Sequence, residues 1–178
     1  SGYSDMAIGL GLMLGIWLPI NFYSPFKATN IIDFWQRWHI SLTKYIGMYI
    51  FNPLVLKLMR INIDRSKISQ NFFTMIVPNL FIFLILGIWH GASWTFVIFG
   101  LMHGFFIVIN RLWRSSSSSK KTTSYFKRLF SWLLTFICVN SAFVMFRADT
   151  ISTAFEIYRG MLGFNGAPLP SMLGRIIN

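Results

Sequence analysis

The chain has 178 residues and a formal net charge of +11, yet only 12% of its residues are charged, while 54% are hydrophobic and 18% aromatic. With a mean hydropathy of +0.57, this composition excludes a soluble globular domain and reads as an integral membrane protein. The basic residues fall in bands between apolar runs rather than in one continuous patch, which argues against a nucleic-acid partner.

A hydrocarbon core about 30 Å thick needs roughly 20 apolar residues in a helix. Runs of that kind lie at 3–22, 71–89, 92–112 and 127–146. None shows the two-residue alternation of a barrel strand, and backbone polar groups in lipid must be bonded internally, so the expected fold is an all-α polytopic bundle. The first run is preceded by Ser1-Gly2-Tyr3-Ser4-Asp5, with no basic leader and no initiator Met. It is expected to be a span in the middle of a longer chain rather than a signal peptide.

Asn30 followed by Ile31-Ile32-Asp33 has the form of an N-cap with an acid in the first turn, and Asn52-Pro53 has the form of a stop, so the pattern predicts one interfacial or re-entrant helix over 31–51. At about 100° per residue, Asp33, Arg37 and Lys44 share a narrow arc while Trp35, Trp38, Leu42, Ile46 and Tyr49 line the other side. The i,i+4 spacing suits an Asp33–Arg37 ion pair. His39 falls with the aromatics, either as a buried histidine holding a backbone carbonyl or as a site residue.

From Asn71 to Asn110 there is no Asp, Glu, Lys or Arg, yet His90 and His103 lie inside that stretch. An ionisable side chain in a membrane segment is a functional candidate by default. Dense basic bands precede 71 and follow 110; placing both in the cytoplasm satisfies the positive-inside rule with two crossings between them. His90 then sits at the turn, either exposed at the far face or folded toward the midplane. Residues 114–124, with five consecutive serines, are expected to form a cytoplasmic loop. Cys138 stands alone, so no internal disulfide is possible and packing is its expected role. Beyond Arg147-Ala148-Asp149, helical spacing from Ile151 to Leu162 predicts a short interfacial helix, ended by Gly163, Gly166, Pro168 and Pro170.

Three histidines with almost no intramembrane carboxylate narrow the chemistry. His90 and His103 would be about 20 Å apart on an unbroken helix, a poor pair for haem. No HExxH or CxxC pattern and no acidic second shell suggest zinc. No Gly-x-Ser-x-Gly motif suggests a covalent serine mechanism. A buried histidine that stays neutral at pH 7 suits general-base removal of a hydroxyl proton. Trp38, Trp89, Trp94 and Trp113 read either as an interfacial belt or as pocket lining.

Two ordered motifs then carry a resemblance. Asp33-Phe34-Trp35-Gln36-Arg37-Trp38-His39-Ile40-Ser41-Leu42, and Gly87-Ile88-Trp89-His90-Gly91-Ala92-Ser93-Trp94 followed by Phe99-Gly100-Leu101-Met102-His103-Gly104, resemble the membrane-bound O-acyltransferase (MBOAT) family. More narrowly, the motifs are similar to its bacterial alginate and polysaccharide O-acetylation branch, and Phe146-Arg147-Ala148 continues the resemblance. The resemblance implies that His90 promotes transfer of an acyl group from a thioester donor such as acetyl-CoA, used as substrate with no bound cofactor, to a hydroxyl. It implies that Asp33 and His39 line the same pocket, and that His103 holds a recurring position whose role is either pocket lining or helix packing. Trp89, Trp94 and the Gly91 amide are candidate donors to an oxyanion. The implied setting is the inner membrane, with a polysaccharide acceptor and a periplasmic acetyltransferase or relay protein as partners. Family members are usually more than twice this length, so this chain alone is expected to be inactive. An export subunit without its own chemistry is the competing expectation.

Overall fold

The architecture grows from one tight helical hairpin. In a computed structural model that describes residues 2–61, 66, 70–116 and 124–164, Val77–His90 (α5) and Trp94–Ser116 (α6) run antiparallel, joined by only three residues. Glycines set their separation. A methyl on Gly100 would fall on the Phe83 carbonyl oxygen, one on Gly87 would fall on the Phe96 carbonyl oxygen, and one on Gly104 would come 3.1 Å from Phe83 Cβ. Gly100 and Gly104 form the Gly-x-x-x-Gly spacing that lets two membrane helices approach backbone to backbone. Ser93 starts α6, its hydroxyl accepting from the Thr95 amide at 3.3 Å.

Against this hairpin pack Tyr125–Arg147 (α7) and Ile31–Arg37 (α2). Among the described residues three helices are long and apolar enough to cross a membrane, Phe72–His90, Trp94–Ser115 and Tyr125–Arg147. They match the runs predicted at 71–89, 92–112 and 127–146 to within a few residues. Ile151–Met161 (α8), the predicted short helix, is capped by Thr150, which accepts from the Thr153 amide, and is pinned to α7 by the Tyr158 hydroxyl donating to the Ser141 carbonyl at 2.6 Å. Burial there pushes the Tyr158 phenol above its usual range. Among the described residues there is no strand.

The first apolar run departs from expectation. Its helix, Gly2–Met13 (α1), ends at Met13 rather than continuing toward residue 22. Gly15 adopts φ 73°, the Ile16 amide reaches back to the Gly11 carbonyl at 2.8 Å and the Gly15 amide to Leu12 at 3.0 Å. This is a Schellman stop, and glycine is the residue that adopts its left-handed position without strain.

The predicted helix over 31–51 is also divided. Asn30 does cap α2, accepting from the Asp33 amide at 2.9 Å, and Arg37 Nε meets Asp33 Oδ1 at 2.7 Å. The chain then turns sharply at Trp38 and His39, with His39 left-handed at φ 50°, before Ile40–Ile46 (α3). A segment far away in sequence closes the break. The Asn21 carbonyl accepts from the Ile40 amide, its side chain accepts from the Ser41 amide (2.9 Å) and hydroxyl (2.6 Å), and the Tyr23 amide donates to Arg37. Irregular backbone at membrane depth survives only when its polar groups are met in this way. Asn21→Ala is expected to cost about 1–2 kcal/mol through the two lost side-chain bonds, read as a lower unfolding midpoint in detergent.

Nor does Asn52-Pro53 stop the helix. A π turn at Gly47–Phe51 widens the spiral so that Asn52 bonds back five residues to Gly47, and Asn52–Ile61 (α4) continues through Pro53. A second π turn, Phe72–Ile76, does the same ahead of Pro78, with Val77 bonded to Phe72. In both places the wider turn accommodates a proline ring that would crowd an ordinary helical turn.

The core lies where α2 crosses α6 and α7, with Phe34, His103, Val139 and Thr95 almost wholly enclosed. The side chains of α7 pointing elsewhere, such as Phe130 and Leu134, are exposed apolar surface suited to lipid. The two basic bands meet at one end of the bundle: Lys27 and Arg128 line a common pocket, and Arg111 lies 5.9 Å from the Phe51 ring centroid. Most of the loop predicted over 114–124 lies outside the described residues.

Candidate active site

His90 is the last residue of α5, at the end of the bundle away from the basic pocket. It is half-buried, and its ring leans on Trp89 (centroids 4.9 Å apart), Phe146 (5.0 Å), Phe99 (5.9 Å) and Phe96 (6.3 Å). Among the described residues no hydrogen bond engages either ring nitrogen. Gly91 keeps the wall closed, since a Cβ there would come within 2.6 Å of the Phe96 ring. The result is an imidazole with a fixed apolar backing and nitrogens free to take a proton.

The break between α2 and α3 puts His39 at its corner, in the left-handed conformation. Its ring sits 5.5 Å from Phe22, and its Nδ1 is enclosed without a hydrogen-bond partner among the described residues. A backbone carbonyl at that nitrogen, one of the two sequence-based readings, is therefore not found. An unpartnered buried ring nitrogen is costly, and such atoms concentrate where a ligand or water completes the set.

His103 lies elsewhere, fully enclosed in the core at the middle of α6. Trp35 Nε1 donates to its Nδ1 at 3.3 Å, and because indole can only donate, the neutral ring carries its proton on Nε2. Phe34 stacks on it at 6.1 Å and Phe99 meets it edge-on at 4.8 Å. Phe99 therefore touches both His90 and His103, one helical turn from the latter. His103→Leu is expected to strand the Trp35 donor and to lower stability by about 1–3 kcal/mol in a detergent unfolding series.

The remaining predicted residues divide. Trp38 is partly buried and packs against the core, stacked on Phe34 at 5.6 Å and set against Phe22 and Phe143. Asp33 is held by Arg37, whose guanidinium also lies 5.7 Å from the Tyr23 ring, and so braces the segment leading to the break. Trp94 is 73% exposed and makes no ring contact with His90. Trp89 borders an apolar cavity of about 160 Å³ between α3 and α5, walled by Leu42, Ile46, Ile82 and Leu86. The Gly91 amide is already bonded to the Ile88 carbonyl at 3.2 Å. Phe99 and Phe146 enter the sequence reading only as members of the family motifs and Asn21 not at all; their roles depend on contacts between separate segments.

A helical bundle with three candidate membrane spans, and a half-buried histidine at the turn of its central hairpin, defines a membrane protein with an ionisable group at one end of the bundle. The chain belongs to the membrane-bound O-acyltransferase family, whose sequence model matches residues 1–149. It is 42% identical over 170 residues to a peptidoglycan O-acetyltransferase of Helicobacter pylori, covering 95% of this chain and 30% of that protein. It is 37% identical over 164 residues to a probable alginate O-acetylase AlgI of Azotobacter vinelandii (92% and 30%), and 34% identical over 113 residues to a teichoic acid D-alanyltransferase of Streptococcus thermophilus (64% and 26%). The chain thus spans about 30% of the length of the first relatives it matches.

Proposed function

We propose that the protein to which this chain contributes is an O-acyltransferase of the inner membrane. It moves an acyl group, acetyl in this reading, from a thioester donor such as acetyl-CoA to a hydroxyl of an extracytoplasmic polysaccharide or of a relay protein. The observation that carries this reading is the half-buried His90, backed by four aromatic rings and with both nitrogens unengaged among the described residues. In the reaction, a neutral His90 ring nitrogen takes the proton of the acceptor hydroxyl as its oxygen attacks the acyl carbonyl. The C–S bond then breaks, and the thiolate leaves with a proton returned by His90. His39, with its unpartnered nitrogen, orients the acceptor or donates to the developing oxyanion.

Relatives named for peptidoglycan and alginate acetylation support a polysaccharide as final acceptor. A periplasmic acetyltransferase acting as relay partner is compatible with a site at the end of the bundle opposite the basic bands. The test uses membranes containing the protein in its full reading frame, labelled acetyl-CoA and purified polymer with or without the periplasmic fraction. Label on polymer or on a periplasmic protein is the expected result. Labelled acetyl crossing the membrane unattached to either would replace acyl transfer by export.

A further inference from the structure

A second pocket lies at the basic end of the bundle, apart from the histidines. Lys27 and Thr29, beside the short 3₁₀ turn Pro25–Lys27, face Tyr125, Arg128, Leu129 and Trp132 of α7 across a cavity of about 260 Å³. Two cations from segments about a hundred residues apart thus converge, with two hydroxyls between them and no acidic side chain among the described lining residues. The wall is fixed in advance: Trp132 Nε1 donates to the Phe26 carbonyl at 2.8 Å and its ring stacks on Phe136 at 5.6 Å. Phe26 in turn packs against Phe136 at 6.2 Å, so the turn that carries Lys27 is held to α7 on both sides of the indole.

We propose that this pocket binds the phosphate of an anionic phospholipid of the phosphatidylglycerol class. Arg128 offers a planar fork matched to two phosphate oxygens and Lys27 a point charge, while Thr29 and Tyr125 offer hydroxyl donors. A nucleotide phosphate of a soluble thioester shares that chemistry. What favours lipid is the surface that continues from the pocket into the span. Leu129, Phe130 and Leu133 are 45%, 67% and 44% exposed, giving acyl chains an apolar track along α7 directly below a bound headgroup. Cations gathered at the end of a membrane helix are where anionic lipids of the nearer leaflet concentrate.

The experiment uses the protein in its full reading frame, purified in detergent and equilibrated with mixed micelles of equal phosphatidylglycerol and phosphatidylcholine, with retained lipid counted by mass spectrometry. The wild type is expected to retain phosphatidylglycerol selectively. The double variant Lys27→Gln/Arg128→Gln is expected to lose that selectivity on the order of tenfold while keeping phosphatidylcholine. The variant Lys27→Arg, which preserves charge, is expected to keep the selectivity, so loss through misfolding is distinguished from loss of charge. Equal retention of the two lipids by the wild type overturns the proposal without recourse to any variant. So does displacement of phosphatidylglycerol by millimolar coenzyme A or inorganic phosphate, which would assign the pocket to a soluble anion.

Discussion

His90→Gln, introduced into the full reading frame, is expected to lower acyl transfer about 10²–10⁴-fold, the usual contribution of a positioned general base. The structure makes this substitution a sharp probe. Glutamine approximates the volume of imidazole, no hydrogen bond to the described residues is lost, and the site is half-exposed, so the unfolding midpoint should move little. Glutamine still hydrogen-bonds, but it does not take a proton at neutral pH. The measurement is initial rate of label transfer at matched protein level, with membrane insertion checked by protease accessibility. Wild-type rates in the variant would remove His90 from the chemistry and leave His39 as the base. His39→Gln should be measured beside it, because the family motifs pair His39 with His90 and its Nδ1 is enclosed without a partner among the described residues.

Gly100→Val carries the second large effect, on folding rather than on rate. The Cβ it adds would overlap the Phe83 carbonyl oxygen, a backbone atom that no rotamer change can move aside, and the Gly87 backbone lies 3.1 Å from the same point. Overpacking in a close-packed site costs typically 1–3 kcal/mol, and a clash with the backbone of two residues of α5 puts this one at or above about 3 kcal/mol. The expected readout is loss of monodisperse protein on detergent extraction and a sharply lower unfolding temperature. Gly47→Ala is the control. Gly47 is helical, and a methyl added there would meet nothing within 4 Å, so alanine should be tolerated or should stabilise by about 0.5–1 kcal/mol. Similar losses in both variants would show that the hairpin does not depend on the glycine seam.

The spans are legible because their signal is local: long apolar runs, few charges, and basic bands outside them. Two helices depart from the sequence pattern, for different reasons. The run at 3–22 contains its own stop, Gly15, which composition masks because the flanking residues are just as apolar. The break at Trp38-His39 has no local signal at all, since the groups that satisfy it come from Asn21, about twenty residues earlier. Pro53 reads as a stop because the π turn that absorbs it leaves no mark in hydropathy. At the site, the histidines are visible as ionisable residues out of place, and the family motifs pair Asp33 and His39 with His90. The division of labour among them is not visible. Only tertiary contacts separate His103 in the core from His39 at the break between α2 and α3, and identify Phe99 as the ring that touches two of the three imidazoles.

The three-residue link between α5 and α6, together with the glycine seam, has a mechanical consequence. Two rods joined by so short a strap and seated backbone against backbone cannot slide or splay without breaking van der Waals contact along their length. His90 rides on the tip of that stiff fork, so within this chain, and under the proposed reaction, adjustment to an acceptor falls to the less regular segments. The compliant part is the irregular stretch from Leu14 to Ser24 and the kink at His39, held by a handful of hydrogen bonds to Asn21. One imidazole is an anvil, and the other hangs on a hinge.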